Sequence, residues 1–343
     1  MLSMLRNLSM RGKLLLLILP ALLGTLYFSI TTVNDRYANL ERTEESRDLF
    51  RLVLVADPLV ENLQKERGLN ALLIASGGSD GRVVERLEVQ RELTDASLSE
   101  FQSVITTLEG SVRVTIAPQL ARASTALAEL MPLRERVMIE DVEAALAYNV
   151  YTQAVEQLVA LIPEILHHSD EAQLTRLMSA FYALTQSTEW AAREMAAGAL
   201  VLSQGEVSLG LAGDVSAAGA RKQALLDTAA DLLGDAMQSR VNALREQPEF
   251  LGFAELRNKL IGSEYGFLGM ANIEWFDSAS GAINDVYQLK ENVAGEMAAR
   301  TDFVLGSARS QLQQAAIIGC LVVVGVLLLA VLIILGVTGQ VHQ

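Results

Sequence analysis

Two long apolar runs near the ends of the chain enclose a region in which apolar positions recur with helical spacing. The runs are Leu14–Val33 and Ala315–Val337, and each has at least 20 residues without a charged side chain. A helix of that length spans a hydrocarbon core of roughly 30 Å. The pattern therefore predicts two transmembrane helices around one large external domain, residues 34–314.

Basic residues before the first run predict the orientation. Arg6, Arg11 and Lys13 precede it with no acidic residue among them, which favours a cytoplasmic segment 1–13. Two crossings return residues 338–343 to the cytoplasm. A cleaved signal peptide is the alternative, but the run is long and no small-x-small cleavage site precedes Asn34.

The region between the runs is predicted to be all-α. It has few aromatic residues and is rich in Ala, Leu, Glu and Gln, which favour helices. One helix is predicted to begin at Asp57-Pro58 and to end at Gly77–Gly81. The other helical patterns are Leu93–Leu108, Leu120–Met131, Val142–Ile162, Ala172–Leu202, Ala220–Leu244, Phe253–Met270 and Ile283–Leu312. Breaks or kinks are predicted at Pro118, Pro132, Pro163, Gly205–Gly213, Pro248 and Ser278–Gly281. Long helices with short connections favour antiparallel bundles, and the outermost helices are expected to continue into the two apolar runs.

The charge of the external region limits its partners. All 41 acidic residues lie there against 24 basic ones, a net charge of −17. Such a surface repels nucleic acid and anionic lipid, so no nucleic-acid partner is expected. An anion that binds this region must be attracted by a local cluster of donors. The single cysteine, Cys320, lies in the second apolar run and forms no disulfide within the chain.

The residue types needed for catalysis are not arranged for it. His167 and His168 are adjacent and would project about 100° apart on a helix, which is poor geometry for a metal pair. His342 lies on the other side of the membrane in the predicted topology. The sequence contains no CxxC, phosphate-binding loop or nucleophile–His–acid set. We therefore predict a protein that is not an enzyme and uses neither a metal nor a cofactor.

Charged residues interrupt the apolar stripe of the helix after Asp57. Continuing the stripe from Leu63 by three or four positions reaches Glu66 and Arg67. Gly68, which follows, costs roughly 1 kcal/mol relative to Ala inside a helix, and its missing side chain could make room for a ligand or a close helix. The purely structural alternative is that Glu66 and Arg67 pair with neighbouring helices and fix their register.

A second arginine lies among small residues that allow other helices to approach. Arg193 is in the segment Glu189–Ala199, which contains several Ala and one Gly. A guanidinium has five planar donors that match nitrate, nitrite or a carboxylate. Arg67 and Arg193 facing each other would repel unless an anion lay between them. Either Glu66 or Glu189 could also supply that negative charge.

Taken together, these segments resemble a known sensory domain. The marks are Gln64–Leu69 (QKERGL), Leu133–Val137 (LRERV) followed by Tyr148 and Tyr151, the segment Glu189–Gly198, and Trp275 ahead of the last long helix. Their order and spacing, over about residues 45–310, resemble the nitrate- and nitrite-sensing domain of bacterial transmembrane receptors.

The resemblance implies a periplasmic domain of two four-helix bundles that share long helices, in a two-pass protein of the bacterial inner membrane. It implies an anion held by arginines from facing helices, which carries over to Arg67 and Arg193, with Glu66 and Gly68 in the same motif. Arg257 is the candidate for a further donor, with Arg134 and Arg136 behind it. A solvated surface arginine is the alternative for Arg257.

The resemblance also implies a homodimer that passes a signal to a cytoplasmic output region. A chemotaxis-type, methyl-accepting receptor is the first expectation, and a histidine kinase or a cyclic-dinucleotide enzyme is the alternative. The chain ends six residues after the second apolar run, so we expect the relay and output to be missing from it. The alternative for the ligand is a small carboxylate or a periplasmic binding protein that docks on the same architecture.

Overall fold

The protein is helical throughout the part that the structure describes. This computed structural model describes residues 10–78, 80–108, 110–139, 142–166, 171–204, 208–262 and 271–340. In these ranges we number the helices α1 Met10–Ala75, α2 Gly81–Thr107, α3 Gly110–Ala128, α4 Leu130–Met138, α5 Ala144–Val159, α6 Leu161–Leu166, α7 Ala172–Gln204, α8 Leu209–Leu233, α9 Asp235–Arg245, α10 Pro248–Gly262 and α11 Asn272–Gln340. The predicted all-α class is confirmed. The division into two four-helix bundles stays a prediction.

The first and last described helices are very long. Helix α1 has 66 residues and α11 has 69, and each continues from the polar region into an apolar run, as predicted. The predicted helix start at Asp57-Pro58 is wrong, because α1 runs through both residues. Asp57 forms an ion pair with Lys290 instead of capping a helix. The buried neighbours Leu59 and Leu63 keep the helix packed where Pro58 removes one backbone hydrogen bond.

At two further positions a break is not found, and one helix end is confirmed. Pro118 lies inside α3. Ser278–Gly281 lies inside α11, where Ala279 is fully buried, so packing overrides the weak helix propensity of Ser and Gly. Helix α1 ends as predicted before Gly77 and Gly78, whose φ angles of 66° and 72° favour glycine. His167 and His168 lie outside the described residues.

The chain divides into two compact units. One unit is residues 48–301, and the other combines residues 1–47 with 302–343. The apolar core of the first unit includes four fully buried large side chains: Trp275, Tyr151, Phe181 and Phe253. The second unit instead exposes large apolar side chains, among them Leu19, Leu23, Phe28, Ile30, Ile317, Leu321, Leu328 and Leu332.

One segment of the described chain, Asn272–Ile333, is long and apolar enough to cross a membrane, judged by length and composition. It contains the greater part of the second predicted span. Within the described residues it is the one segment of this kind that is found. The predicted two-pass topology is therefore taken up below as a proposal.

Two glycines bring the last helix close to α1 and α7. A Cβ atom on Gly198 would lie 2.1 Å from the indole ring of Trp275, whose Nε1 donates a 2.8 Å hydrogen bond to the carbonyl of Met195. A Cβ atom on Gly68 would lie 2.6 Å from Cε of Met195 and 2.9 Å from the ring of Phe276. The space left by Gly68 is therefore filled by protein side chains. Of the two uses predicted for this space, it makes room for a close helix and not for a ligand.

Candidate anion-binding site

A carboxylate lies between the two arginines that the sequence singles out. Glu189 on α7 is 2% exposed and accepts hydrogen bonds from Arg67 on α1 and from Arg193 one turn further along α7. The structure thus brings Arg67 and Arg193 together on one group. Of the two neutralising residues considered, Glu189 is the one that contacts both.

The contact of Arg67 with Glu189 is bidentate and fully buried. Nη1 of Arg67 donates to Oε1 at 2.8 Å, and Nη2 donates to Oε2 at 2.9 Å. Nη1 also donates to Oγ1 of Thr152 on α5 at 2.8 Å, and the guanidinium carbon lies 5.2 Å from the ring centre of Tyr148. The parallel pair of bonds fixes the plane of the guanidinium as well as its position.

Arg193 joins the same carboxylate from the more open side. Its Nε donates to Oε1 of Glu189 at 2.6 Å, and Nη2 donates at 2.7 Å to Glu156, whose side chain is 54% exposed. Its guanidinium lies 4.7 Å from the ring centre of Trp190, which also carries Arg221 at 4.2 Å. Arg193 therefore links the buried carboxylate to the surface.

Electrostatics keep all three groups charged. Burial by itself would raise the pKa of Glu189, but the charges and hydrogen bonds of Arg67 and Arg193 hold that pKa below its ordinary value of 4.5. Burial would lower the pKa of Arg67, but Glu189 outweighs it and the pKa is raised. At neutral pH the site therefore contains an ionised carboxylate between two guanidinium ions.

A cavity reaches this carboxylate. It has a volume of about 320 Å³, and Glu156, Glu189, Trp190 and Arg193 are among its lining residues. Nitrate has only four heavy atoms and needs far less space than this. The arginine that faces the cavity is Arg193, whereas Arg67 lies behind Glu189 and is 1% exposed.

The carboxylate is also connected to the last helix. Nε2 of Gln64 donates to Oε2 of Glu189 at 3.1 Å, and Oε1 of Gln64 accepts a 2.8 Å hydrogen bond from the hydroxyl of Tyr287 on α11. Gln64 is 1% exposed and Tyr287 is 5% exposed. These two hydrogen bonds join the arginine site to α11 through one amide.

Glu66, a predicted site residue, binds a different arginine. It is fully buried and accepts two hydrogen bonds from Arg134 on α4, from Nε at 2.7 Å and Nη2 at 2.8 Å, and one of 2.6 Å from the hydroxyl of Tyr151. Arg134 also pairs with Asp95 at 2.6 Å. Glu66 thus joins α1, α4 and α5, as the purely structural alternative predicts.

Arg257, the third predicted donor, lies in a separate cluster. Its Nη1 donates to Oε1 of Glu194 at 3.0 Å, and Nζ of Lys222 donates to Oε2 at 2.8 Å. Burial lowers the pKa of Lys222, although Glu194 opposes the shift. Arg257 is thus a partner of Glu194 and contacts neither Arg67 nor Arg193 in any hydrogen bond described here.

Sequence reasoning missed the groups that complete the arginine site. Thr152 and Glu156 both lie on α5, and no pattern in their own segment marks them as partners of arginines. A signal exists for Glu189, which stands four residues before Arg193, the spacing at which side chains on a helix meet. Within the described residues no cluster of three or more His, Cys, Asp or Glu could hold a metal ion.

Comparison with known proteins identifies the family of this chain. A family described as "Nitrate and nitrite sensing" matches residues 58–298. The nitrate regulatory protein of Klebsiella oxytoca is 27% identical over 150 residues, which are 44% of this chain and 37% of that protein. The chain thus aligns with little more than a third of this curated relative.

A solved structure, that of the NasR transcription antiterminator, has a TM-score of 0.71 to this chain at 19% identity. The similarity covers 86% of this chain and 83% of the other, and it indicates a shared helical fold. The family match covers more than half of the chain and includes Arg67, Glu189 and Arg193. The chain therefore belongs to the nitrate and nitrite sensing family.

Proposed function

We propose that this protein is a receptor that binds nitrate or nitrite at Arg67 and Arg193 and passes the signal along the helices that carry these residues and their partners. The observation that supports it most directly is the convergence of two guanidinium groups, one from α1 and one from α7, on a single buried carboxylate beside a cavity. Membership of the family supports the choice of ligand.

A planar oxyanion suits the donors. Two oxygens of nitrate have the spacing of a carboxylate and can accept the two parallel bonds from Nη1 and Nη2 of Arg67, which we call the fork of Arg67. An oxygen of nitrate can also accept a bond from Nε of Arg193. A spherical anion such as chloride accepts bonds but cannot match the fork. The site should therefore rank planar oxyanions above halides.

We also propose that the protein is a two-pass, homodimeric receptor of the bacterial inner membrane with residues 34–314 in the periplasm. The exposed apolar side chains of the unit formed by residues 1–47 and 302–343 support it, because such a surface is stable in lipid and unstable in water. The uninterrupted course of α1 and α11 supports signalling through those helices.

A non-catalytic, chemotaxis-type output is our first proposal for the signal, with a histidine kinase or a cyclic-dinucleotide enzyme as the alternative. The net charge of −17 of the external region opposes direct contact with nucleic acid. The name of the solved relative describes that protein alone, and the output that we propose for this chain is a different one.

A small carboxylate is the second candidate ligand. The observation in its favour is that the group now bound by Arg67 is itself a carboxylate, Glu189, with good bidentate geometry. Formate and acetate offer the same pair of oxygens as Glu189, but nitrate has a third oxygen for Arg193.

Calorimetric titration of the full chain in lipid nanodiscs tests the proposal. Nitrate, nitrite, formate, acetate and chloride are titrated into the wild type, Arg67→Lys and Arg240→Lys. Arg240 is the matched control, because it forms a half-exposed ion pair with Glu296. We expect nitrate and nitrite to bind the wild type and the control, and Arg67→Lys to bind at least tenfold more weakly, because a point charge cannot replace the fork.

Equal affinity of Arg67→Lys and the wild type would contradict the arginine site. Binding of formate or acetate more tightly than nitrate would support the carboxylate sensor instead.

A further inference from the structure

We propose that Glu189 is a tethered competitor of the anion: it occupies the ligand position when nitrate is absent, and nitrate binds by displacing it from Arg67. The inference rests on the proposed function and adds the regulation of that site. It gives a role to a buried acidic residue in a site whose ligand is itself an anion.

The first support is stereochemical. Glu189 accepts the two parallel bonds of the Arg67 fork at 2.8 and 2.9 Å, together with one from Nε of Arg193 at 2.6 Å. These are the donors that a planar oxyanion needs. Because each donor hydrogen is already directed at Glu189, nitrate cannot make the same bonds while Glu189 keeps its place.

The second support is the local charge. The ionised groups at the site are Arg67 and Arg193, which are positive, and Glu189 and Glu156, which are negative, so that their sum is zero. Nitrate would bring a net negative charge into a buried region that lies in a strongly acidic domain. Moving Glu189 away from Arg67 relieves the repulsion between nitrate and the carboxylate. Nitrate must therefore supply the free energy needed to break the ion pair between Arg67 and Glu189.

The third support is the space next to the carboxylate. Glu189 lines the cavity of about 320 Å³, and the cavity also contains the exposed group Glu156 and the side chain of Arg193. A rotation of the Glu189 side chain towards the cavity leaves it within reach of Arg193, one turn away on the same helix. The displaced carboxylate therefore keeps a cationic partner.

Displacement of Glu189 has a consequence for α11. Gln64 now donates to Glu189 and accepts from Tyr287. When Glu189 leaves, Nε2 of Gln64 loses its acceptor and has to donate to a new one, such as the bound anion. A turn of the amide towards that acceptor also moves Oε1, which accepts the hydrogen bond from Tyr287. The exchange of anions is thereby transmitted to the last helix.

Glu189→Gln tests the competition, and Glu194→Gln is its matched control. Glu194 lies five residues further along α7, is also fully buried and also accepts bonds from two cations, but among the described hydrogen bonds its carboxylate accepts none from Arg67 or Arg193. Nitrate is titrated by calorimetry into each full-length variant in nanodiscs. We expect Glu189→Gln to bind nitrate at least tenfold more tightly than the wild type and Glu194→Gln to bind it within about twofold of the wild type.

Glu189→Asp covers the case in which Glu189→Gln does not fold. The shorter side chain keeps the charge near Arg193 but cannot reach the fork of Arg67 with both oxygens. We expect nitrate affinity between those of the wild type and Glu189→Gln. Unchanged or weaker affinity in either variant, with normal binding by the wild type, would overturn the competitor and leave the proposed function standing.

Failure of both the wild type and Glu189→Gln to bind nitrate would contradict the proposed function itself. The two failures are therefore distinguishable. An equal gain in affinity in Glu194→Gln would also overturn the inference, because it would trace the gain to the general charge of the domain.

Tyr287→Phe tests the transmission. Amide hydrogen exchange of residues 283–297 is measured with and without saturating nitrate. We expect nitrate to change the exchange of this segment in the wild type, and Tyr287→Phe to bind nitrate within about threefold of the wild type while losing that change. Tyr37→Phe is the control, since Tyr37 is 60% exposed and does not line the cavity beside Glu189. A nitrate-dependent change that persists in Tyr287→Phe would exclude Gln64 and Tyr287 as the route.

Discussion

Helix α7 carries two buried carboxylates five residues apart, and their surroundings differ. One carboxylate can be exchanged for a ligand, and the other stabilises the packing of the helices. Glu189 is held by the planar fork of Arg67 and borders a cavity. Glu194 is held by one bond from Lys222 and one from Arg257, and a Cβ atom on Gly219 would lie only 3.0 Å from its Oε1. A ligand could use both the planar donor and the free space next to Glu189. A glutamate on α7 thus belongs to a binding site at position 189 and to the packed core at position 194.

The largest change in stability is expected when the ion-pair cluster of Glu194, Lys222 and Arg257 is broken. Lys222→Ala leaves Glu194, which is fully buried, with Arg257 as its cation. Loss of one partner of a buried ion pair should lower the free energy of unfolding by about 3 kcal/mol or more. Denaturant unfolding of the full chain measures this loss. Saturating nitrate should stabilise the wild type and Lys222→Ala by the same amount, so that the difference between them stays unchanged. A smaller difference in the presence of nitrate would erase the distinction between the two clusters.

A smaller loss of stability is expected at the support of Arg67. Thr152→Val removes the hydroxyl that accepts a 2.8 Å bond from Nη1 of Arg67, a residue that is 1% exposed. The cost should be about 2 kcal/mol, as for other hydrogen bonds to charged groups. Thr185→Val is the control, because that hydroxyl bonds the backbone of its own helix. An equal cost in both variants would mean that Arg67 gains nothing specific from Thr152.

The aromatic wall of the cavity should have a weaker influence. Trp190→Phe reduces the cation–π contact with Arg193 at 4.7 Å, which is worth about 0.5–1 kcal/mol at such positions. Nitrate affinity should fall about two- to fivefold, measured by calorimetry. Tyr182→Phe, which alters another residue of the same cavity, should leave the affinity unchanged. Equal losses in the two variants would point to the shape of the cavity and not to Arg193.

The smallest effect concerns pH. Because the pKa of Glu189 in the folded protein lies below its ordinary value, the ion pair contributes its full stability above about pH 4.5 and loses it as the pH falls through the lowered value. The difference in unfolding free energy between the wild type and Glu189→Gln should thus be constant from pH 8 to 5 and shrink in stronger acid. A difference that already shrinks near pH 7 would mean that Glu189 is not held ionised by the arginines.

The sequence predicts the elements of this fold better than their limits. Helical propensity and apolar periodicity are local properties, and they predict the all-α class, the glycine end of α1 and the continuation of α1 and α11 into the two apolar runs. The helix start predicted at Asp57-Pro58 and the break at Pro118 are not found, because the cost of one lost backbone hydrogen bond is smaller than the gain from packing around these prolines.

The site could be predicted only in part, for a similar reason. Arg67 and Arg193 stand out because each interrupts an apolar or small-residue face, and the structure brings them together. Arg257 cannot be distinguished in this way, since the sequence does not say whether an arginine on a neighbouring helix meets Glu189 or Glu194. Such pairings are decided by the three-dimensional arrangement of α5, α7 and α10.

The contact of Trp275 with Gly198 limits how α11 can move. The indole fills a notch in α7 and is fastened to it by a 2.8 Å hydrogen bond to the carbonyl of Met195. If α11 moved along its axis by one residue, about 1.5 Å, the indole ring would no longer face Gly198 and would collide with neighbouring side chains of α7. The contact of Trp275 therefore opposes a translation of α11 along its axis more strongly than a tilt of α11 about this point.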